Sequence, residues 1–279
     1  MTPHFEVLQP RADETPLVVE VPHAGLGVPP HFATALLASA RAIARDADLF
    51  VDELYADAID EGATVLVSRV SRYVVDLNRA ETDVDAETVL GGPSSPRAPR
   101  GVVWRLTTDN ERCLAAPLTP KELEARLAEL HRPYHSALAQ LIAGKLERFG
   151  VCVVLAGHSM PSVGRSGHGD AEVPRADVVP GTQGRTTAHG SLIDCVSRHA
   201  EGAGLSVRHD EPYRGGYTTR HWGRPSQRIH AVQVELARRL YMDEPGLRRG
   251  PGFGQMQAFC RGLVGELGRA ARVLMTPSP

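Results

Sequence analysis

One stretch limits the possible folds more than any other: Val151-Cys152-Val153-Val154-Leu155, a continuous apolar run bounded by Gly150 and Gly157. Five apolar residues in succession leave no polar face, so the run reads as a central strand covered on both sides, the signature of a parallel sheet between helical layers. Three further runs fit that sheet. Leu17-Val18-Val19-Glu20-Val21 halts at Pro22-His23-Ala24-Gly25, Ala63-Thr64-Val65-Leu66-Val67 follows a closing Gly62, and Ile229 to Leu236 alternates apolar and polar residues. Helical patterns lie between and after them. Phe32 to Ala44 has helical spacing, and Thr119-Pro120-Lys121-Glu122 is a capping box that opens a helix to about Arg148. Ser191 to Ala200 and about Gln255 to Leu274 complete the set, with a short strand at Leu205 to Arg208. The rhythm predicts a layered α/β protein.

At 279 residues and 42% hydrophobic, the chain is long enough for one sizeable core, and a single catalytic domain over 1–279 is expected. Two segments interrupt the pattern. Residues 81–117, rich in Pro, Gly and Ser around 91–99, and residues 161–190 read as long irregular loops, the first a candidate lid whose Arg97, Arg100 and Arg105 either stand solvated or present charge to an anion. A net charge of -2 gives no basic field for nucleic acid, and no apolar stretch has the length of a membrane span. Four cysteines without C-x-x-C spacing suit reduced thiols in a cytoplasmic protein, as a monomer or small homo-oligomer.

The chemistry-bearing residues gather where apolar runs stop. His23 and His158 each follow a strand, the edge at which open α/β sheets bind ligands. Arg69 to Arg79 reads as a buried strand, carried by Val74 and Val75, running into a polar tip of Asp76, Asn78 and Arg79. Either Asp46 or Asp48 suffices to cap the helix that follows, which leaves one carboxylate over. Glu235 lies near the end of the last strand. The loop Tyr213 to Gly223 is crowded with donors, among them Tyr217, Thr219, Arg220 and His221. His131 and His135 stand at i, i+4 on one helix face, a spacing open to a metal pair or to hydrogen bonding behind a site.

Serine-hydrolase elbows, Walker loops and dinucleotide fingerprints are absent from the sequence. Two imidazoles and a carboxylate on a divalent ion, with a further carboxylate as proton acceptor, make an open catalytic zinc site. In that reading Glu235 is the base and Arg79 the partner of a substrate carboxylate.

Several blocks together resemble the N-formylglutamate amidohydrolase (N-formylglutamate deformylase) family. They are Val21-Pro22-His23-Ala24-Gly25, Asp46-Ala47-Asp48, Ser71 to Arg79, Pro133-Tyr134-His135, His158-Ser159, Gly215 to Gly223 and His230 to Ala237. The resemblance implies a three-layer α/β/α fold around a mixed central sheet, phosphorylase/hydrolase-like, and metal-dependent hydrolysis of an N-formyl amide in histidine degradation, yielding glutamate and formate. A more distant likeness to zinc carboxypeptidases and aspartoacylases implies His23 and His158 as zinc ligands, Asn78 with Arg79 as carboxylate clamp and Glu235 as base. Those enzymes carry a ligand Glu three residues after the first His, where this chain has Leu26, so Asp48 is expected as third ligand ahead of Asp46. Asp46, Asp76 and His135 are then expected behind the ligands, and Tyr217, Thr219, Arg220 and His221 against the substrate. A related N-acyl amino acid hydrolase, a carboxypeptidase, or a non-catalytic amino-acid-binding module are the alternatives.

Overall fold

The computed structural model describes residues 4–93, 99–164 and 172–275; Arg97 and the Pro-Ser-Pro end lie outside them. Six strands form one mixed sheet: β1 (Phe5–Leu8), β2 (Leu17–Val21), β3 (Thr64–Ser68), β4 (Cys152–Met160), β5 (Val178–Gly181) and β6 (Ile229–Ala237). Their order is β1-β3-β2-β4-β6-β5. The inner four run parallel, and the two edge strands are antiparallel to their neighbours.

Strand alternation divides the core into two layers. Val19, Val65, Leu155 and Val234 point into one cluster with side chains of α3 (Val51–Leu54), α6 (Gly190–Gly202) and α8 (Phe253–Val273). Val18, Leu66, Val154 and Ala231 point into the other, against Tyr134, Leu138 and Ile142 of α5 (Arg132–Phe149). Helices therefore cover both faces, and every residue of β2, β3, β4 and β6 is buried. Each such Val or Leu contributes about 1.5–3 kcal/mol of transfer free energy, enough to override the alternation of β6 that suggested an exposed face. The capping box at Thr119 and Glu122 opens α4 (Pro120–Arg126), and a π-helical turn at Leu127–His131 joins it to α5.

Several local expectations change. The leader contains β1, an edge strand whose Glu6 pairs with Arg69, and four residues were too short a pattern to stand out. The helix expected over Phe32–Ala44 breaks into α1 (Pro30–Ala33) and α2 (Ala40–Asp46), because the Ser39 hydroxyl accepts from Ala42 N and starts a new helix. Arg69 to Arg79 is not a strand. The ladder ends at Ser68, Val70 makes one bridge to Gly27, and Val74 turns back to the carbonyl of Ser71, so Val74 and Val75 reach the core from turns. Of Leu205 to Arg208 only Val207 pairs, with Val178 of β5, a strand inside the segment expected to be irregular. The donor-rich loop contains α7 (Tyr217–Trp222).

Residues 81–117 hold no helix or strand among the described residues, yet their second half is no surface loop. Val102, Val103, Trp104 and Cys113 are buried. Arg100, read from sequence as solvated or facing an anion, is also buried and donates to Thr107 O and Asn110, while Arg105 pairs with Glu87 and Asp85.

Candidate active site

Parallel neighbours end on the same edge, so β2, β4 and β6 bring their final residues together. Glu235 pairs in register with His158, and His23 emerges two residues past β2. Close approach of chain 22–27 to Arg69 requires glycine: a Cβ at Gly25 would lie 2.3 Å from the Arg69 carbonyl carbon. Asp48 enters from the turn after α2, its amide donating to His23 O at 2.9 Å. His158 Nδ1 lies 3.0 Å from Asp48 Oδ2 and 3.2 Å from His23 Nδ1, which is 3.6 Å from the same carboxylate oxygen. All three side chains are buried, and among the described residues they are the cluster of three metal-capable groups.

The surroundings fit a cation at that point. His23 Nε2 faces Asp76 Oδ1 at 2.8 Å, so that nitrogen carries the hydrogen and Nδ1 turns its lone pair inward. Asp76 is fully buried and also accepts from Arg72, Trp104 Nε1 and Asn78 N. Such a carboxylate braces the imidazole from behind. Burial opposes charge on Asp48, but the His158 and His23 imidazoles beside it prevail and hold its carboxyl well below the ordinary range. Burial and Arg72 likewise oppose charge on His23, yet Asp76 and Asp48 raise its pKa, so this donor set favours positive charge between its members. Asp46 is elsewhere occupied. It accepts from Tyr73, from Thr108 N at 2.9 Å and from Thr108 Oγ1, so of the two aspartates it is Asp48 that joins the histidines. Leu26 is exposed.

Beside this cluster runs a chain of amides. Glu235, buried and with its pKa raised by that burial, accepts from Gln233 Nε2 at 2.8 Å. Its second oxygen has no protein partner among the described residues. Gln233 Oε1 accepts from Gly216 N at 2.8 Å and Asn78 Nδ2 at 3.3 Å, while Asn78 Oδ1 accepts from Thr218 N. Gly216 is required here, since a Cβ would sit 2.2 Å from the Asn78 amide. Both ends of the Asn78 amide are thus engaged inside the protein.

A cavity of about 410 Å³ opens over these groups, within the ordinary size range of small-molecule sites. His23, Asp46, Asp48, Asn78, Arg79, His158, Arg220 and Glu235 line it; Asp76 lies directly behind. Tyr217, Thr219, His221 and His135 are not among the lining residues. Tyr217 stacks on His221 with centroids 5.0 Å apart and meets His135 edge-on. Sequence reasoning missed Gln233, Arg72, Trp104 and Arg238, which donates to Asp48 Oδ1 and Ala47 O. Of these, Gln233 carried a signal: it stands two residues before Glu235, on the same strand face.

Comparison with known proteins gives a consistent picture. The family model described as N-formylglutamate amidohydrolase matches residues 15–242. An N-formylglutamate deformylase from Pseudomonas aeruginosa is 33% identical over 245 residues, 86% of each chain. One from Pseudomonas putida is 32% identical over 248 residues, again 86% of each. The crystal structure of an N-formylglutamate amidohydrolase from Ralstonia eutropha JMP134 superposes with a TM-score of 0.88 at 30% identity, covering 96% of this chain and 98% of that one.

Proposed function

Because the chain belongs to the N-formylglutamate amidohydrolase family, we propose that it hydrolyses the N-formyl amide of N-formyl-L-glutamate, with zinc, to L-glutamate and formate. The supporting observation is the burial of His23 Nδ1, His158 Nδ1 and Asp48 Oδ2 around one point, next to a desolvated Glu235. His23, Asp48 and His158 would hold the ion. A bound divalent ion supplies Lewis acidity, bringing the pKa of water toward about 7 and polarising a carbonyl.

The protein's own groups account for the rest. Glu235 accepts a proton from the attacking water and returns it to the leaving nitrogen, so that water and formamide become formate and a free amine. Burial suits it to that exchange by raising its proton affinity, and Gln233 holds one of its oxygens in place. Arg79 and Arg220 line the cavity as partners for the two carboxylates of the substrate. Arg72 and Arg238 are committed to Asp76 and Asp48 and so are scaffolding cations. The proposed setting is a single catalytic domain in the cytoplasm, in histidine degradation; among the described residues no helix is long and apolar enough to cross a membrane.

The decisive experiment measures formate release and bound metal for purified protein over a panel of N-formyl and N-acetyl amino acids, with and without chelator. We expect stoichiometric zinc, fastest turnover on N-formylglutamate and loss of activity on chelation. Turnover indifferent to chelation would sink the metal reading, preference for an acetyl substrate or peptide would displace the formyl one, and binding without turnover would mark a non-catalytic module.

A further inference from the structure

The segment Leu77-Asn78-Arg79 has no strand partner, yet each of its three carbonyls is claimed. Leu77 O lies 2.9 Å from His135 Nε2, Asn78 O accepts from Tyr217 N at 3.1 Å, and Arg79 O lies 2.9 Å from His131 Nε2. Buried main-chain carbonyls outside a ladder need such partners. Here two come from one turn of one helix. We propose that His131 and His135 are positioning residues for the carboxylate clamp: each donates Nε2–H to a carbonyl on one side of Asn78, and together they fix where Arg79 presents its guanidinium.

A carbonyl only accepts, so both Nε2 atoms carry hydrogen. Burial keeps the rings neutral in that form, pushing His135 down to about 3 and lowering His131 as well. Neither Nδ1 has a hydrogen-bond partner among the described residues, so the bond to the carbonyl is the directional contact each ring makes. The rings pack on one another with centroids 4.3 Å apart, and Tyr217 closes over them at 5.3 and 6.3 Å. His131 ends the π-helical turn, a feature frequent at functional sites. Both Nε2 atoms are engaged on carbonyls, Glu81 Oε1 stands 3.7 Å from His131 Nδ1, and the group of three metal-capable side chains among the described residues is the one at His23, Asp48 and His158. Among the described residues the Arg79 guanidinium makes one ion-pair contact, with Asp83 at 3.8 Å, and feels the charge of Asp76, so the backbone that carries it has a large part in its placement.

The inference rests on Arg79 as the group that meets a substrate carboxylate. It is tested with His131→Leu and His135→Leu, the donor-retaining His131→Gln and His135→Gln, and Arg79→Ala, each assayed on N-formylglutamate and on its α- and γ-carboxamides. Loss of a holding contact should raise KM for N-formylglutamate roughly 10- to 100-fold. We expect kcat to move far less, and discrimination between the acid and one of its amides to fall in step. The Gln variants should recover most of it, because the Gln amide nitrogen reaches about as far as Nε2. Folding is monitored by thermal unfolding. If the Leu variants do not fold, His→Asn, whose amide stops short of the carbonyl, replaces them against Gln. Folded variants with unchanged KM, or with acid and amides impaired alike, would overturn the inference while Arg79→Ala still abolished discrimination. An Arg79→Ala protein that kept its discrimination would instead overturn the clamp reading beneath it.

Discussion

His158 and Glu235 hang from β4 and β6, where nine consecutive residue pairs set their spacing, whereas Asp76, Asn78 and Arg79 hang from a chain whose last sheet contact is a single bridge at Val70. The first half of the cavity is positioned by a ladder of main-chain bonds between fully buried strands. The second is positioned by side chains from distant elements: Trp104 and Arg72 on Asp76, Thr218 on Asn78, His131 and His135 on the carbonyls between. A ladder tolerates substitution of any one side chain, but a segment held by side chains moves when one of them changes. On the proposed function, the groups that make and break bonds sit on the rigid half, and those that choose the substrate sit on the half that substitution can reshape.

The strongest test of that division falls on the rigid half. Glu235→Gln keeps shape and the contact with Gln233 while removing the proton acceptor, and kcat should fall about 100- to 10,000-fold with KM and bound metal little changed. Steady-state kinetics with metal analysis decides it. Near-normal kcat would mean that the base lies on the other half.

Glu20 ties the halves together from beneath. This fully buried β2 residue accepts from Tyr134 at 3.2 Å and from the Thr218 hydroxyl at 3.1 Å, and Thr218 in turn donates to Asn78. Burial raises its pKa from 4.5 to about 7, against the pull of His158, Thr218 and Tyr134. Between those values the folded chain keeps a proton that the unfolded chain has released, so stability falls as pH rises from about 4.5 to 7, then levels off. The fall amounts to up to about 3 kcal/mol. Glu20→Gln should remove that share of the pH slope, whatever its effect at any one pH. Urea unfolding of both proteins from pH 4.5 to 8 measures the difference, and parallel curves would show that Glu20 is not held protonated.

The contrast between the halves also explains what could be read from sequence. His23, His158 and Glu235 were legible because apolar runs announce strands and parallel strands end on one edge. Asp76-Leu77-Asn78-Arg79 was legible as a motif but not as a backbone: Val74 and Val75 look like a strand to any periodic reading and are buried from turns. Asp46 and Asp48 could not be separated by capping arguments, since the choice depends on Thr108 reaching Asp46 across 62 positions. Trp104 and Arg238 left no local trace, for their partners lie 28 and 190 residues away. Tyr217 and His221 were drawn toward the substrate by their place in a donor-rich loop, yet in the helix that forms there their rings stack on one another and Tyr217 meets His135.

Arg220 offers the smallest effect and the finest resolution, because it is the solvent-facing member of the recognition half. It lines the cavity from α7 and has no carboxylate partner among the described residues. Water screens an exposed guanidinium, so an ion pair there is worth under about 1 kcal/mol, a factor of roughly two to five in KM. Arg220→Ala should raise KM for N-formylglutamate by that factor and leave N-formylglutamine unaffected, since only the former carries the side-chain carboxylate. Half-molar salt should shrink the wild-type advantage in the same assay, as expected of a screened contact. An equal loss on both substrates would place Arg220 against the α-carboxylate or the formamide instead. Specificity for the side chain would then belong to another arginine of the cavity wall, with Arg79 the first to substitute and Arg214 the next.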